Sequence, residues 1–232
     1  MNKAEFDAVA DEYLQLHSRN ISASGESPEF FARYKIEDVA REARKRAIDA
    51  REILDFGSGI GNSLPHFQSL FPQATVTCAD VSTRSLSISQ KRFPDAKARY
   101  TEVSESRLPL PDESIDISFS ACVFHHIAHS EHVAWLEEIR RVTRPGGMLI
   151  VYEHNPLNPL TVSAVRNCAF DQNARLIHSG AFLRRLRAAG WQRSQRAYRM
   201  FFPHALAFAR PAERWLRRVP LGAQYFVTAI RD

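Results

Sequence analysis

The 232-residue chain is poor in the residues that make staples, membrane spans and leaders. Its three cysteines, Cys78, Cys122 and Cys168, are widely spaced and form no CxxC pair. That spacing argues against a disulfide framework or a zinc site, fits a reducing cytoplasm, and leads us to expect no metal. The cysteines read as small buried hydrophobes. No apolar run approaches the length of a membrane span, and the first 30 residues carry Asp7, Asp11 and Glu12 without a signal-like apolar core. Acid is scarce late in the chain: residues 184–218 hold ten arginines against one acid, Glu213. Such a block suits an anionic substrate, membrane headgroups or nucleic acid, and equally a solvated surface. Glycine is scarce as well, nine in all, yet three of the nine fall within five residues.

Those three close the run Ile53-Leu54-Asp55-Phe56-Gly57-Ser58-Gly59-Ile60-Gly61. An apolar strand carrying an acid opens into glycines at alternate positions, which permits a tight strand-to-helix turn and close backbone approach to a ligand. Dinucleotide sites use G-x-G-x-x-G, with helix N-terminal amides on a pyrophosphate. Here the pattern is D-x-G-x-G-x-G, and a carboxylate two residues before the first glycine suits a cationic ligand. A second acid, Asp80, closes the next apolar strand, from which an acid reaches ribose hydroxyls in a Rossmann-like sheet.

Apolar strand-like runs at 53–56, 75–79, 97–101, 115–120 and 148–152 alternate with helical patterns, giving a mostly parallel α/β sheet in one domain. The helix at 131–143 puts Trp135, Leu136, Ile139 and Val142 on one face. Arg144-Pro145-Gly146-Gly147 is expected to stop it and turn the chain. Ser82 is placed to N-cap the next helix, leaving Asp80 for a ligand. Ser179 starts a further helix ending at Gly190, then Trp191–Arg199 reads as strand six and 224–230 as the final strand. Residues 1–46 look helical, with Phe6, Val9, Ala10 and Tyr13 on one stripe. Residues 201–222 form an aromatic, arginine-rich insertion in which Arg210, Arg214 and Arg217 share a helical face and Pro211 divides two short helices.

The glycine run, Asp80-Val81-Ser82, Leu108-Pro109-Leu110-Pro111-Asp112, Phe124-His125-His126-Ile127 and Arg144-Pro145-Gly146-Gly147 appear in an order that resembles the class I S-adenosylmethionine (SAM) dependent methyltransferases of small molecules. The resemblance implies a Rossmann-like α/β sheet of seven strands with the last antiparallel, inserted between strands five and six. It divides the chain into a helical lid (1–46), a SAM-binding core (47–152) and a substrate-side half (153–232). It implies SAM as cofactor and S-adenosylhomocysteine as product. Gly57, Gly59 and Gly61 would line the amino-acid half of SAM with Asp55 near its ammonium, and Asp80, beside Val81, would bridge the ribose hydroxyls. The adenine position carries Ser104-Glu105 where similar enzymes have Asp-Ala, so that contact falls to Ser104 or Glu105. Tyr34 and Lys35 match a lid sequence, with Lys35 reaching the cofactor carboxylate and Tyr34, like Tyr13, facing substrate.

Acid–base chemistry falls to residues after strands four and five. His125 and His126, as neighbours on a helical turn, point roughly 100° apart, so one faces the cleft, and His126 matches the family pattern. Histidine titrates near neutrality and suits deprotonation of a phenol, an acidified hydroxyl or an ammonium group. Glu153 and His154 at the end of strand five, with Asn155, are the remaining substrate-side candidates, Glu153 also as a catalytic acid. The expected reaction is O-methylation of a small acceptor, with an anionic or lipid-linked one among the candidates, ahead of N- or C-methylation. A nucleic-acid methyltransferase fits less well, because Ala121-Cys122-Val123-Phe124 stands where base methyltransferases carry an Asn/Asp-Pro-Pro-aromatic motif, and no DNA partner is expected. A non-catalytic SAM-binding module is the third class. The 201–222 segment is read as a cap over the cleft, with peripheral contact to an anionic membrane as the alternative.

Overall fold

The computed structural model describes residues 7, 21, 24–104, 107–168, 171 and 173–232. Tyr13, Phe6 and Glu105 lie outside the described residues. Seven strands form one sheet in the order β3-β2-β1-β4-β5-β7-β6. They are β1 (Glu52–Phe56), β2 (Thr75–Asp80), β3 (Ala98–Glu102), β4 (Ile115–Ala121), β5 (Thr143–His154), β6 (Gln192–Arg199) and β7 (Gln224–Ile230). β1 to β5 pair in parallel, while β7 runs antiparallel between β5 and β6, as the resemblance implies.

Both faces of the sheet are covered because its strands alternate apolar residues toward both sides. Leu54, Phe56, Leu149 and Val151 pack on α4 (His132–Val142) and α6 (Ser179–Ala188), through Trp135, Leu136, Ile139, Phe182 and Leu186. Ile53, Ile117, Phe119, Met148, Ile150 and Tyr152 face the other way, onto α1 (Pro28–Lys45) and α2 (Leu64–Leu70). Full burial of an Ile or Leu is worth about 1.5–3 kcal/mol, so an acid at Ile139, which is wholly buried, would undo that layer. The Trp191 indole, expected in strand six, sits just before β6 and donates to the Leu136 carbonyl at 2.9 Å. Among the described residues no helix is long and apolar enough to cross a membrane.

Three expectations are corrected here. The second half of the expected lid is a core layer: α1 buries Phe31, Tyr34, Ile36, Val39 and Ala43. Its apolar stripe is wide enough to cover β5, and Ser27 caps its start by accepting from the Phe30 amide. Arg144–Gly147 does not turn the chain away before the strand. Thr143 already pairs with Ile115, and the register resumes at Ile117 and Met148, so the four residues are looped out within β5. Gly146 supplies the required left-handed backbone there, at φ +79°. Finally, Arg210, Arg214 and Arg217 do not form one solvent face. Arg210 binds Glu26 at 2.5 Å, Arg217 lies 3.8 Å from Asp38 of α1, and Arg214 stacks on Trp215.

The insertion is a 3-10 segment, His204–Ala212, followed by the short α-helix Glu213–Leu216. Pro211 lies inside the 3-10 segment, and the break within it falls at Leu206, not at the proline as expected. Arg199 of β6 holds the fully buried Asp38 at 2.8 Å and reaches Glu213 at 3.4 Å. Acids on α1 and in the insertion therefore spend several arginines of the basic block inside the molecule.

Candidate active site

The site begins where β1 ends. Phe56 leads into a loop whose three glycines all have positive φ, from +52° to +80°. Two of them are demanded by packing: a Cβ on Gly57 would lie 2.3 Å from Val123 Cγ2, and one on Gly61 would lie 2.1 Å from Ser89 Oγ. Gly59 alone faces open space, with nothing within 4 Å of a Cβ. Its amide donates to Asp80 Oδ2 at 2.8 Å, and the Ser82 amide donates to Asp80 Oδ1 at 2.9 Å. Ser82 Oγ caps the helix Thr83–Arg92 by accepting from the Ser85 amide, as expected. Asp80 is not left idle, however; it ties the glycine loop to the β2 loop. Each carboxylate oxygen still has lone-pair capacity for a ribose hydroxyl. Ser82 Oγ also donates to Asp7 at 2.6 Å, which brings one residue of the N-terminal segment to this rim.

Asp55 is buried, and its Oδ2 has no hydrogen-bond partner. Burial, and then the neighbouring Asp80 charge, push its carboxyl up from 3.8 to about 7, against the pull of Lys35. A buried carboxylate oxygen without a partner is what an ammonium-bearing ligand needs, and the open space at Gly59 leaves room for its approach, so these residues fit the amino-acid end of SAM. Lys35 arrives at the same corner from α1. Its ammonium stands 3.7 Å from Cys122 Sγ and 5.7 Å from the Tyr152 ring centre. Ser104 is exposed and forms an isolated bridge with Arg107, and Val81 is half-buried beside Asp80.

Beyond β4 and β5 lies a compact group of histidines and acids. Residues Phe124–His126 make one 3-10 turn after β4. Glu153, fully buried on β5, accepts from the Phe124 amide at 2.8 Å and meets His125 Nδ1 at 2.6 Å. Asp171 completes the group: its Oδ1 lies 3.4 Å from His125 Nε2 and 3.2 Å from His126 Nε2. The expected divergence of the two histidines is thus corrected. Their rings are 4.2 Å apart and both turn toward Asp171, because the tight turn brings both rings to one acid. His125 has 1% of its side chain exposed and His126 has 9%, which leaves His126 the more accessible.

The charges differ accordingly. Although burial opposes it, Glu153 and Asp171 raise His125 well above the usual histidine range. Burial, reinforced by the His125 charge, lowers His126. His154 packs 5.3 Å from the His125 ring, and although burial opposes it, the neighbouring Cys122 raises it. The Cys122 thiol is held down at about 7, burial being outweighed by His154 and Lys35.

Two expected substrate contacts are spent elsewhere. Asn155 donates to the Pro220 and Gly222 carbonyls and accepts from the Leu157 amide, so it closes its own turn. Tyr34 is buried among Phe30, Phe31 and Tyr152 and donates its hydroxyl to Gln224. Both face the fold, not a ligand. Conversely, Asp171, Cys122 and Gln224 were not anticipated. Cys122 does carry a backbone mark, φ +60° at the end of β4, but no residue pattern announces it. A groove beside Pro156, Leu157 and Val162 contains no acid or histidine and offers no chemistry.

A glycine loop with an orphaned acid, a second acid after β2 and the order 3-2-1-4-5-7-6 define the class I SAM-dependent methyltransferase fold. The family model described as a methyltransferase domain matches residues 54–151, less than half of the chain. A demethylmenaquinone methyltransferase of Chlamydia trachomatis is 30% identical over 105 residues, 45% of this chain and 45% of that protein. The chain spans about half the length of the curated relatives it matches. A Thermotoga maritima structure, described as a SAM-dependent methyltransferase and possible histamine N-methyltransferase, covers 99% of both chains. Its TM-score is 0.67 and its identity 17%. Phosphoethanolamine N-methyltransferase 2 of Haemonchus contortus, solved with S-adenosyl-L-methionine, has TM-score 0.57 and 18% identity over 78% of this chain and 48% of that one.

Proposed function

We propose that this chain transfers a methyl group from SAM to an oxygen of a small-molecule acceptor, with the His125–His126 pair supplying the base. The reading is carried by one observation: Glu153, both histidines and Asp171 converge beyond the ends of β4 and β5. Ligands in open α/β sheets bind at those ends. SAM supplies an already activated methyl group, so the protein's tasks are alignment and proton removal.

Asp55 and Gly59 hold the amino-acid end of the cofactor, and Asp80 holds its ribose. His126, the more accessible of the pair, takes the acceptor's proton, while Asp171 orients its ring and balances the charge that forms. His125 is fixed from behind by Glu153 and acts on the electrostatics of the pocket. Asp7, bonded to Ser82, stands at the cofactor rim. The acceptor class is a phenol or similarly acidic hydroxyl. The similarity to a relative described as a ubiquinone/menaquinone biosynthesis C-methyltransferase favours a second form of the same chemistry, in which a ring carbon of a deprotonated phenol accepts the methyl and then gives up its hydrogen as a proton as the phenol re-forms. One base serves both.

Three free cysteines agree with a cytoplasmic setting. The inward pairing of Arg199, Arg210 and Arg217 favours the cap over a membrane-bound segment. Incubation with methyl-labelled SAM and a panel of phenols, hydroquinones and amines tests the reading. Label on oxygen or ring carbon, lost in His126→Ala, is expected; label on an amine that survives in this variant refutes it.

A further inference from the structure

His125 is held as metal-binding histidines are held. Its Nδ1 faces the Glu153 carboxylate at 2.6 Å, and that carboxylate is itself fixed by the Phe124 amide. A histidine that gives one nitrogen to a carboxylate presents the lone pair of the other to a cation, with its ring orientation locked. Here the other nitrogen, Nε2, is buried and has no hydrogen-bond partner. It sits 3.4 Å from Asp171 Oδ1 without hydrogen-bond geometry. Two ligands on a tetrahedral Zn²⁺ are separated by about 3.3 Å when their bonds are about 2.0–2.1 Å long. One donor atom each from His125, His154 and Asp171 lie within 4.8 Å of one another.

Three separate pieces of chain make this triangle. His125 comes from the turn after β4, His154 from the end of β5, and Asp171 from the segment after the helix Pro159–Arg166. The last segment is pinned in place by the Arg175 amide, which donates to the His125 carbonyl at 2.8 Å, and turns on itself where the Ala174 amide donates to the Asp171 carbonyl. We propose that His125 Nε2, His154 and Asp171 form a binding site for one divalent transition-metal ion. Two imidazoles and one carboxylate suit Zn²⁺ and its first-row neighbours, not Ca²⁺ or Mg²⁺, which prefer oxygen ligands. Three protein ligands leave a position open, as in catalytic sites. The inference stands independently of which atom of the acceptor is methylated.

The full chain is dialysed to equilibrium against buffered Zn²⁺ with a competing chelator, and bound metal is counted. One Zn²⁺ per chain is expected. Asp171→Asn and His154→Ala should each lower the affinity at least about tenfold, and Glu153→Gln should lower it about 10–100-fold through loss of the orienting partner. Exposed His129, replaced in His129→Ala, is the control and should change nothing. A Co²⁺-loaded sample should give the visible absorption of a low-coordinate ion, absent in Asp171→Asn. Cooperative melting of each variant verifies that it is folded, and a Glu153→Gln protein that melts normally keeps the test intact if another variant does not fold. No saturable one-to-one binding, or binding that follows His129 and not Asp171, overturns the site.

Discussion

Replacing Asp55 with asparagine should stabilise the free protein and weaken its hold on SAM, two effects of opposite sign from one atom. The carboxyl stands near 3.8 in an unfolded chain and at about 7 in the fold. Between those values the folded state keeps a proton that the unfolded state has lost. Stability therefore falls as pH rises through this window, and the full cost is present above about 7. Three pH units correspond to about 4 kcal/mol, at about 1.36 kcal/mol per unit. Asparagine removes that charge but brings an amide into the same buried corner, at a cost of about 1–3 kcal/mol if it stays unpaired. The net gain at pH 8 is about 1–3 kcal/mol, and for a chain of this size each kcal/mol moves the melting point by about 2–4 °C. The same change removes a charged partner of the SAM ammonium, worth about 1.5–3 kcal/mol, so the dissociation constant should rise roughly ten- to a hundredfold. Wild-type affinity should climb as pH approaches 7, where Asp55 ionises, and the asparagine protein should lack that slope. Scanning calorimetry at pH 8 and titration calorimetry at pH 6, 7 and 8 measure both. A variant that melts lower than wild type yet binds SAM as tightly would refute the assignment of Asp55 to the cofactor.

The glycines should separate by role. Gly59→Ala places a methyl in open space and should mainly weaken SAM binding, with a strain of about 1–2 kcal/mol from the left-handed backbone, whereas Gly57→Ala collides with Val123 and should lose stability that Val123→Ala partly restores, as thermal melts would record. His126→Ala should lower turnover by about 10²–10⁴ with SAM affinity nearly intact; an unchanged rate in single-turnover assays removes it as the base. Arg199→Ala leaves the buried Asp38 with Arg41, Tyr152 and the more distant Arg217 and should cost up to about 3–5 kcal/mol, measured in urea. Adding Asp38→Asn should recover part of that loss if the insertion is a cap tied to α1.

The cofactor half was legible because its determinants are contiguous. A strand, an acid and three glycines must follow one another for a chain to turn tightly under a ligand, so Ile53–Gly61 states its geometry directly, and Asp80 ends the next strand by the same logic. Strand positions were legible for a related reason: a sheet covered on both faces writes itself as unbroken apolar runs, as 148–152 does. Where the reading failed, a local pattern had two uses. Phe31 and Tyr34 form an aromatic stripe that serves a core helix as well as a lid, and the exposed face that a lid would require is not distinguishable in sequence. Asn155 before Pro156 has the chemistry of a ligand contact and of a turn, and the carbonyls of Pro220 and Gly222 claim it for the turn.

The acceptor side resists such reading for a deeper reason. Its groups are held by one another across the chain: Glu153 fixes His125, Asp171 meets both histidines, and His154 packs on the His125 ring. None of these relations has a spacing in sequence, since each is closed by the fold. Asp171 carries no motif at all, and it becomes informative only once the Arg175 amide pins its segment beside His125. The two neighbouring histidines look equivalent in the chain, yet the acid behind His125 makes one a fixed, buried ring and leaves the other more exposed. What divides their roles is therefore Glu153, 28 residues away from His125, and exchanging the pair's environments would require moving the acid and not the histidines.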